Sequence, residues 1–207
     1  MDVAIAKIHF PVRSLGYGAR IGIWVQGCSI HCRGCIVPET WDAGPENVVD
    51  VADMIDAISH WLPQCDGVTI SGGEPFDQPA ALHEIVTALR ARTNGDILVY
   101  SGYPQARLRA RFAPLLELVD VVIAGPFRAG EPDPRPFIGS ANQELILLSG
   151  LARARYDSLA GYRRGLNIDI RGGEVLFAGV PERGHLQSIV EQLRALGVHA
   201  ENTHDPV

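Results

Sequence analysis

Three of the four cysteines in this chain fall within one run of eight residues, Cys28-Ser-Ile-His-Cys32-Arg-Gly-Cys35. Thiolates at that density hold metal or form disulfides, and the spacing separates the possibilities. A four-iron, four-sulfur cubane takes one terminal ligand per iron, usually a thiolate. Three cysteines would therefore cap three irons and leave the fourth open to a small molecule. Cys65, the only other cysteine, lies thirty residues past Cys35, whereas the ferredoxin pattern keeps its cysteines close together. Zinc is the alternative, with His31 or His9 completing a set of four, although zinc sites more often combine a C-x2-C with a second distant pair. Disulfides fit less well, since three neighbouring cysteines leave an odd thiol and the chain shows no secretory features.

A second stretch with chemical potential is Gly72-Gly-Glu-Pro75, directly after the β-branched run Gly67-Val-Thr-Ile-Ser71. Two glycines let the backbone approach a ligand with no Cβ in the way, and Glu74 offers a carboxylate to an ammonium group. Taken alone, the four residues are a tight turn. Gly16-x-Gly18 suggests a nucleotide fingerprint, but it precedes a strand rather than a helix and reads as a plain turn.

The elements that must position these residues follow a strand, turn, helix rhythm. Residues 3 to 10 and Ile21 to Val25 read as strands flanking a glycine-rich turn, and the cysteine run follows the second. Val48, Val51, Ile55, Ile58 and Leu62 recur at helical spacing, and Trp41 in the preceding loop is a candidate cover for the cysteines. Asp77 and Pro79 mark a further helix start, with Leu82, Ile85, Val86 and Leu89 as its buried stripe. Ile97 to Tyr100 and Val119 to Ile123 are strands, separated by a helical stretch from Gln105 that Pro114 interrupts. This order predicts an α/β fold with a parallel sheet, best matched by an open or partial (β/α) barrel. The loops after the strands would then gather Cys28 to Cys35, Gly72 to Pro75, Ser101 to Tyr103 and Gly125 to Phe127 around one site.

Residues 126 to 137 are proline-rich and read as a surface loop or flap, leading into Gly139-Ser-Ala-Asn-Gln143. Past Leu148 the pattern becomes a hairpin, Leu166 to Arg171 and Val175 to Phe177 about the turn Gly172-Gly173. A last helix through Leu186, Ile189, Val190, Leu193 and Leu196 follows, and residues 201 to 207 are expected to fray. The domain reading is a core over 1 to 149 with residues 150 to 207 packed on it as hairpin plus helix. The 207 residues are enough to bury about 70% of the unfolded surface. A net charge of −6 with no basic block argues against a nucleic-acid binder and a membrane-surface patch, and no long apolar run spans a bilayer, so a cytoplasmic protein is expected.

Together the two motifs resemble the radical S-adenosylmethionine (SAM) enzymes, in which three cysteines at C-x3-C-x2-C hold a [4Fe-4S] cluster whose open iron chelates SAM. Across residues 13 to 149 the chain resembles the activating enzymes of anaerobic ribonucleotide reductase and the wider single-cluster family. The resemblance runs through the cysteine run, Trp41, Ser71-Gly-Gly-Glu-Pro-Phe76, Tyr100-Ser-Gly-Tyr103 and Gly139 to Gln143. It implies Cys28, Cys32 and Cys35 as cluster ligands and Gly34, Ile36, Gly72, Gly73, Glu74, Ser101 and Gly102 as SAM contacts. It also implies an electron from flavodoxin or ferredoxin, passed through the cluster to SAM, whose cleavage gives methionine and a 5′-deoxyadenosyl radical that abstracts hydrogen.

Activation of a glycyl-radical protein is the function this resemblance favours. The family segment near residue 139 commonly carries flanking arginines, replaced here by Ile138 and Glu144. Modification of a small molecule or peptide therefore stays open as an alternative. From another class, a non-catalytic iron–sulfur or zinc module is disfavoured by Gly72 to Pro75, which such a module does not need.

Overall fold

The apolar runs at Arg20–Val25 (β2), Gly67–Gly72 (β4), Asp96–Ser101 (β5) and Val121–Ala124 (β6) pair in parallel as the centre of one sheet. Strands covered on both faces need apolar residues throughout, and Ile21, Ile23, Val68, Ile70, Ile97, Val99 and Val122 are fully buried. The computed structural model describes residues 1–171, 174–182, 184–195 and 197 of the chain.

Antiparallel strands flank the parallel centre. Asp2–Val12 (β1) pairs with β2 on one side and with the short Val48–Asp50 (β3) on the other, while Glu144–Leu147 (β7) pairs with β6. The order is β3-β1-β2-β4-β5-β6-β7, a mixed α/β sheet that does not close into a barrel among the described residues. Its parallel register aligns Val25 with Gly72 and Ser101 with Ala124, so the loops after these strands leave from one edge.

The helices are Val51–Ile58 (α1), Pro79–Arg90 (α2), Gln105–Leu116 (α3), Gly150–Tyr156 (α4) and His185–Ala195 (α5). The helix expected to take in Val48 starts instead at Val51. Asp50 is extended, and its carboxylate accepts from the Ala52 and Asp53 amides as an N-cap, leaving Val48 in β3 and 46% exposed. Beyond Ile58 the coil tightens to a 3-10 turn over Ser59–Gln64 containing Pro63, and Leu62 stays buried. The stripe expected on α2 is buried, with Pro79 in its first turn. The break expected at Pro114 is milder: α3 continues to Leu116 with a kink at Phe112 (φ −132°, ψ 26°).

Two elements have no counterpart in the sequence reading. β7 is a four-residue apolar strand hidden in the run past Gln143, and α4 is a seven-residue helix rich in arginine. Ser149 caps α4 through its hydroxyl, which accepts from the Ala152 amide at 3.0 Å. This helix sends Ala152 and Tyr156 into a core shared with Leu98, Val121, Ile123 and Phe137, so the packing of the sheet runs past residue 149. Leu166–Arg171 (β8) and Glu174–Gly179 (β9) pair antiparallel as the expected hairpin. Its turn at 172 and 173, Leu196 and residues 201 to 207 lie outside the described residues.

At the edge where β2, β4 and β5 begin, Arg20 and Asp96 form a fully buried ion pair at 2.9 Å. Arg20 Nε donates to Thr69 Oγ1 at 2.6 Å, Tyr156 Oη donates to Asp96 Oδ2 at 2.8 Å, and Arg155 donates to Asp96 as well. Burial alone would raise the Asp96 carboxyl, but the Arg20 charge and the donors around it hold it below the usual carboxylate range.

Candidate cluster and cofactor site

The cysteine run leaves the end of β2 through Gln26 and Gly27, and both ends of the loop are tied to protein. The Gly27 amide donates to Thr40 O at 2.8 Å and the Cys28 amide to Trp41 O at 2.9 Å. Gln26 Nε2 donates to the Glu39 and Asp42 carbonyls at 2.7 and 2.5 Å, fastening the returning segment beneath the cysteines. The Cys35 amide donates to Cys32 O at 3.0 Å, closing the turn between them.

All three cysteines are half-buried. Burial pushes the Cys32 and Cys35 thiols up, and backbone amides oppose it, Phe127 N–H at Cys32 and Val37 N–H at Cys35. The buried Trp41 indole N–H has no oxygen or nitrogen acceptor and faces the Cys35 sulfur. The same indole stacks on His31 at 4.6 Å, so Trp41 packs against the cysteine loop as the sequence reading entertained. Donors aimed at sulfur suit a thiolate ligand and are among the levers a protein has on an iron–sulfur centre.

The glycine pair after β4 meets this loop edge to edge. Gly72 has φ +98°, and a Cβ on Gly73 would collide with the Gly27 carbonyl. The Glu74 amide donates to Gly27 O at 2.9 Å. The Glu74 side chain, 1% exposed, reaches across to the end of β5. Its Oε1 accepts from Ser101 Oγ at 2.9 Å and from the Phe76 amide at 3.0 Å, and its Oε2 accepts from the Gly102 amide at 2.7 Å. Burial lifts this carboxyl to about 7, against the pull of those donors. Three donors and no acceptor suit the ionised form, which a cation nearby would favour further.

A second clamp lies behind the loop. Asp77 accepts from the Ser29 amide at 2.7 Å and from the Tyr103 hydroxyl, and the Ser29 and Tyr103 hydroxyls are 3.1 Å apart. Asp77, expected to begin a helix, instead joins the loops after β2, β4 and β5.

These loops enclose a cavity of about 460 Å³, within the size range of small-molecule sites. Cys28, Cys32 and Cys35 line it together with Gly34, Ile36, Gly72, Gly73, Glu74, Ser101 and Gly102, so all ten residues singled out in the sequence come to one place. It lies outside the carboxyl ends of the parallel strands, where open α/β sheets bind ligands. Cys65 lies elsewhere, its thiol donating to Leu62 O at 3.3 Å. No group of three or more His, Cys, Asp or Glu among the described residues could hold a single metal ion. A cubane asks for something different, three thiolates around a volume with one on each of three irons.

The sequence reading missed the opposite wall. Phe177, Gly179, Val180 and Leu186, from the hairpin and the start of α5, face the cavity, as does Arg164. The Arg164 guanidinium donates to the carbonyls of Asp133, Ile138 and Pro181, joining the proline-rich loop to the hairpin. Nothing local in the sequence marks Arg164, since its partners are backbone atoms of distant segments.

Residues 14–146 match the family model described as a 4Fe-4S single cluster domain. The chain belongs to that family. Among curated relatives, the anaerobic ribonucleoside-triphosphate reductase-activating protein of Vibrio cholerae is 32% identical over 146 residues, covering 66% of this chain and 94% of the relative. The protein of the same name from Escherichia coli K12 is 31% identical over 65% of this chain and 93% of its own length. That of bacteriophage T4 is 28% identical over 63% and 85%. Among solved structures, QueE from Escherichia coli overlays with a TM-score of 0.43 at 18% identity, covering 49% of this chain and 53% of QueE. The single-cluster family takes one [4Fe-4S] centre, and the donor set fits it: three thiols on one cavity with amide and indole N–H groups directed at two of the sulfurs.

Proposed function

We propose that this chain is a radical SAM enzyme that abstracts hydrogen from a glycine of a glycyl-radical protein and so activates it. The observation that carries the reading is the convergence of the cysteine triplet and the Gly72-Gly73-Glu74 turn on one cavity, in a member of the single-cluster family whose curated relatives are named as reductase-activating proteins. Cys28, Cys32 and Cys35 would hold the [4Fe-4S] cluster. Gly34, Ile36, Gly72, Gly73, Ser101 and Gly102 would cradle SAM, with Glu74 supplying negative charge near its ammonium. Bound together, cluster and SAM supply a carbon-centred radical able to take hydrogen from a substrate C–H bond.

The chain's own residues hold, orient and exclude water. Trp41 and the Phe127 amide present N–H groups to the cysteine sulfurs. Glu74 ties the turn after β4 to the end of β5, so the two halves of the cradle keep a fixed separation. Phe177, Gly179, Val180 and Leu186, which also line the cavity, would limit solvent there. We read the sheet as the partial (β/α) barrel of the radical SAM type, flavodoxin or ferredoxin as the electron source and the cytoplasm as the setting. Among the described residues no helix is long and apolar enough to cross a membrane.

That far wall also supports a second reading, modification of a small molecule or peptide, because it leaves a bounded cavity rather than an open face. Anaerobic reconstitution with SAM, a reductant and candidate partners tests both. Formation of 5′-deoxyadenosine with a glycyl-radical signal on a partner protein is the expected result. Turnover of a small substrate with no such signal would favour the second reading, and no SAM cleavage at all would overturn both.

A further inference from the structure

The hairpin of β8 and β9 is laid on the sheet with its polarity reversed. In-register partners of an antiparallel pair share a face, so Asn167, Asp169 and Ala178 lie on one side and Ile168, Ile170, Val175 and Phe177 on the other. The first side meets β1 and the turn after it. Asn167 Oδ1 accepts from the Arg13 amide at 3.2 Å, Asp169 lies 3.1 Å from His9, and the Ser14 hydroxyl donates to Ala178 O at 2.7 Å. An antiparallel pair ordinarily turns its apolar side to the core. Here that side is turned away, and Ile168 and Ile170 are 51% and 66% exposed.

The outward side runs into the cavity. Phe177 lines it, whereas Ile168, Ile170 and Val175 do not. At roughly 3.3 Å per residue, Ile170 and Val175 stand about 7 Å further along the strands than Ile168 and Phe177. A ligand that covers all four side chains therefore extends beyond what the cavity holds, which is the reach of a polypeptide segment and not of a small molecule. Nucleic acid is disfavoured by the net charge of −6. The segment shared with the single-cluster family ends at residue 146, and β8 begins only at Leu166. The hairpin is thus free to serve choice of partner, with the cysteines and the glycine turn held in the shared part.

We propose that the outward face of the hairpin, Ile168, Ile170, Val175 and Phe177, is the docking surface for an extended apolar segment of the protein substrate, flanking the glycine that enters the cavity. This rests on the glycyl-radical reading above and deepens it by naming the surface that recognises the partner. An extended segment presents every second side chain to one side, which matches a face built from alternate residues. Exposed apolar surface of this kind marks a binding site. Continuity through Phe177 selects the occupant: a substrate segment is carried along the face to the cavity, whereas a second copy of the chain would gain nothing from that join.

The probe is a fluorescein-labelled peptide of about twelve residues, with a central glycine and isoleucine alternating with lysine on both sides. Its control replaces each isoleucine by serine. Titrated into the reconstituted protein with SAM, the isoleucine peptide should bind about tenfold or more tightly than the control. Ile168→Glu/Ile170→Glu should lose about tenfold or more of that affinity, Ile170→Glu part of it, and Ile168→Val/Ile170→Val little, since what is lost is burial of isoleucine. SAM cleavage without peptide should match wild type in all three variants, because neither residue lines the cavity. Equal affinity of wild type and the double glutamate variant, or of the two peptides, would overturn the docking surface. So would a wild-type dimer in analytical ultracentrifugation that the glutamates dissociate, which would assign the face to a second copy. Binding is read without turnover, so failure of the glycyl-radical reading would show separately, as peptide binding that persists with no glycyl-radical signal on any candidate partner.

Discussion

Glu74 has a carboxylate whose two oxygens are already committed to Phe76, Ser101 and Gly102. Glu74→Ala would leave three donors without their acceptor and remove the negative charge from the cradle. SAM affinity should fall about ten- to a hundredfold, the loss of a charge-assisted bond of roughly 1.5–3 kcal/mol, with iron content unchanged. A titration of SAM into the reconstituted variant measures this, and unchanged affinity would remove Glu74 from the site. Cys65→Ala should keep its full complement of iron and sulfide, since the Cys65 thiol bonds to Leu62 O and lies off the cavity. Cys32→Ala should lose the cluster. The ligands were legible because three thiols in eight residues leave few alternatives. The indole N–H of Trp41 and the amide of Phe127 were not, because which sulfur each faces depends on loops that follow different strands.

Loops and helices account for what the sequence concealed. The parallel strands were readable from continuous apolar runs, but β7 and α4 are four and seven residues long, too short for periodicity to declare them. The proline-rich segment read as a surface flap is pinned from two sides. Asp133 pairs with Arg135 at 2.6 Å, and Gln143 Oε1 accepts from the Gly139 and Ser140 amides at 2.9 and 3.1 Å. Arg164 then couples this loop to the hairpin through carbonyls alone. Arg164→Leu should therefore raise amide exchange at Arg135, Gly139 and Ser140 about tenfold while α2 stays protected, because only local opening is eased. Exchange unchanged at those three amides would show that the loop holds itself.

Across the whole molecule, chemistry and stability occupy opposite edges of one sheet. The cavity sits at the carboxyl ends of the strands, and the buried Arg20–Asp96 pair joins their beginnings. Removing one partner strands a buried charge, so Asp96→Ala should lower unfolding free energy by about 3–5 kcal/mol, measured by denaturant at pH 7. The pH dependence has a definite sign. The folded carboxyl is held below its unfolded value of about 3.9, so its contribution is complete above about pH 4 and is lost as pH falls through the folded value. Stability differing little between wild type and variant at pH 7 would contradict this. No motif announces the pair, because Arg20 and Asp96 are 76 residues apart and meet only through strand register.

The hydrogen bonds that tie the cysteine loop, Gly27 to Thr40, Cys28 to Trp41 and Ser29 to Asp77, are all made by protein to protein. They reach the loop from the returning segment at Thr40 and Trp41 and from Asp77 after β4, so the spacing of the three thiols is inherited from the sheet that carries those segments as much as from the eight residues themselves.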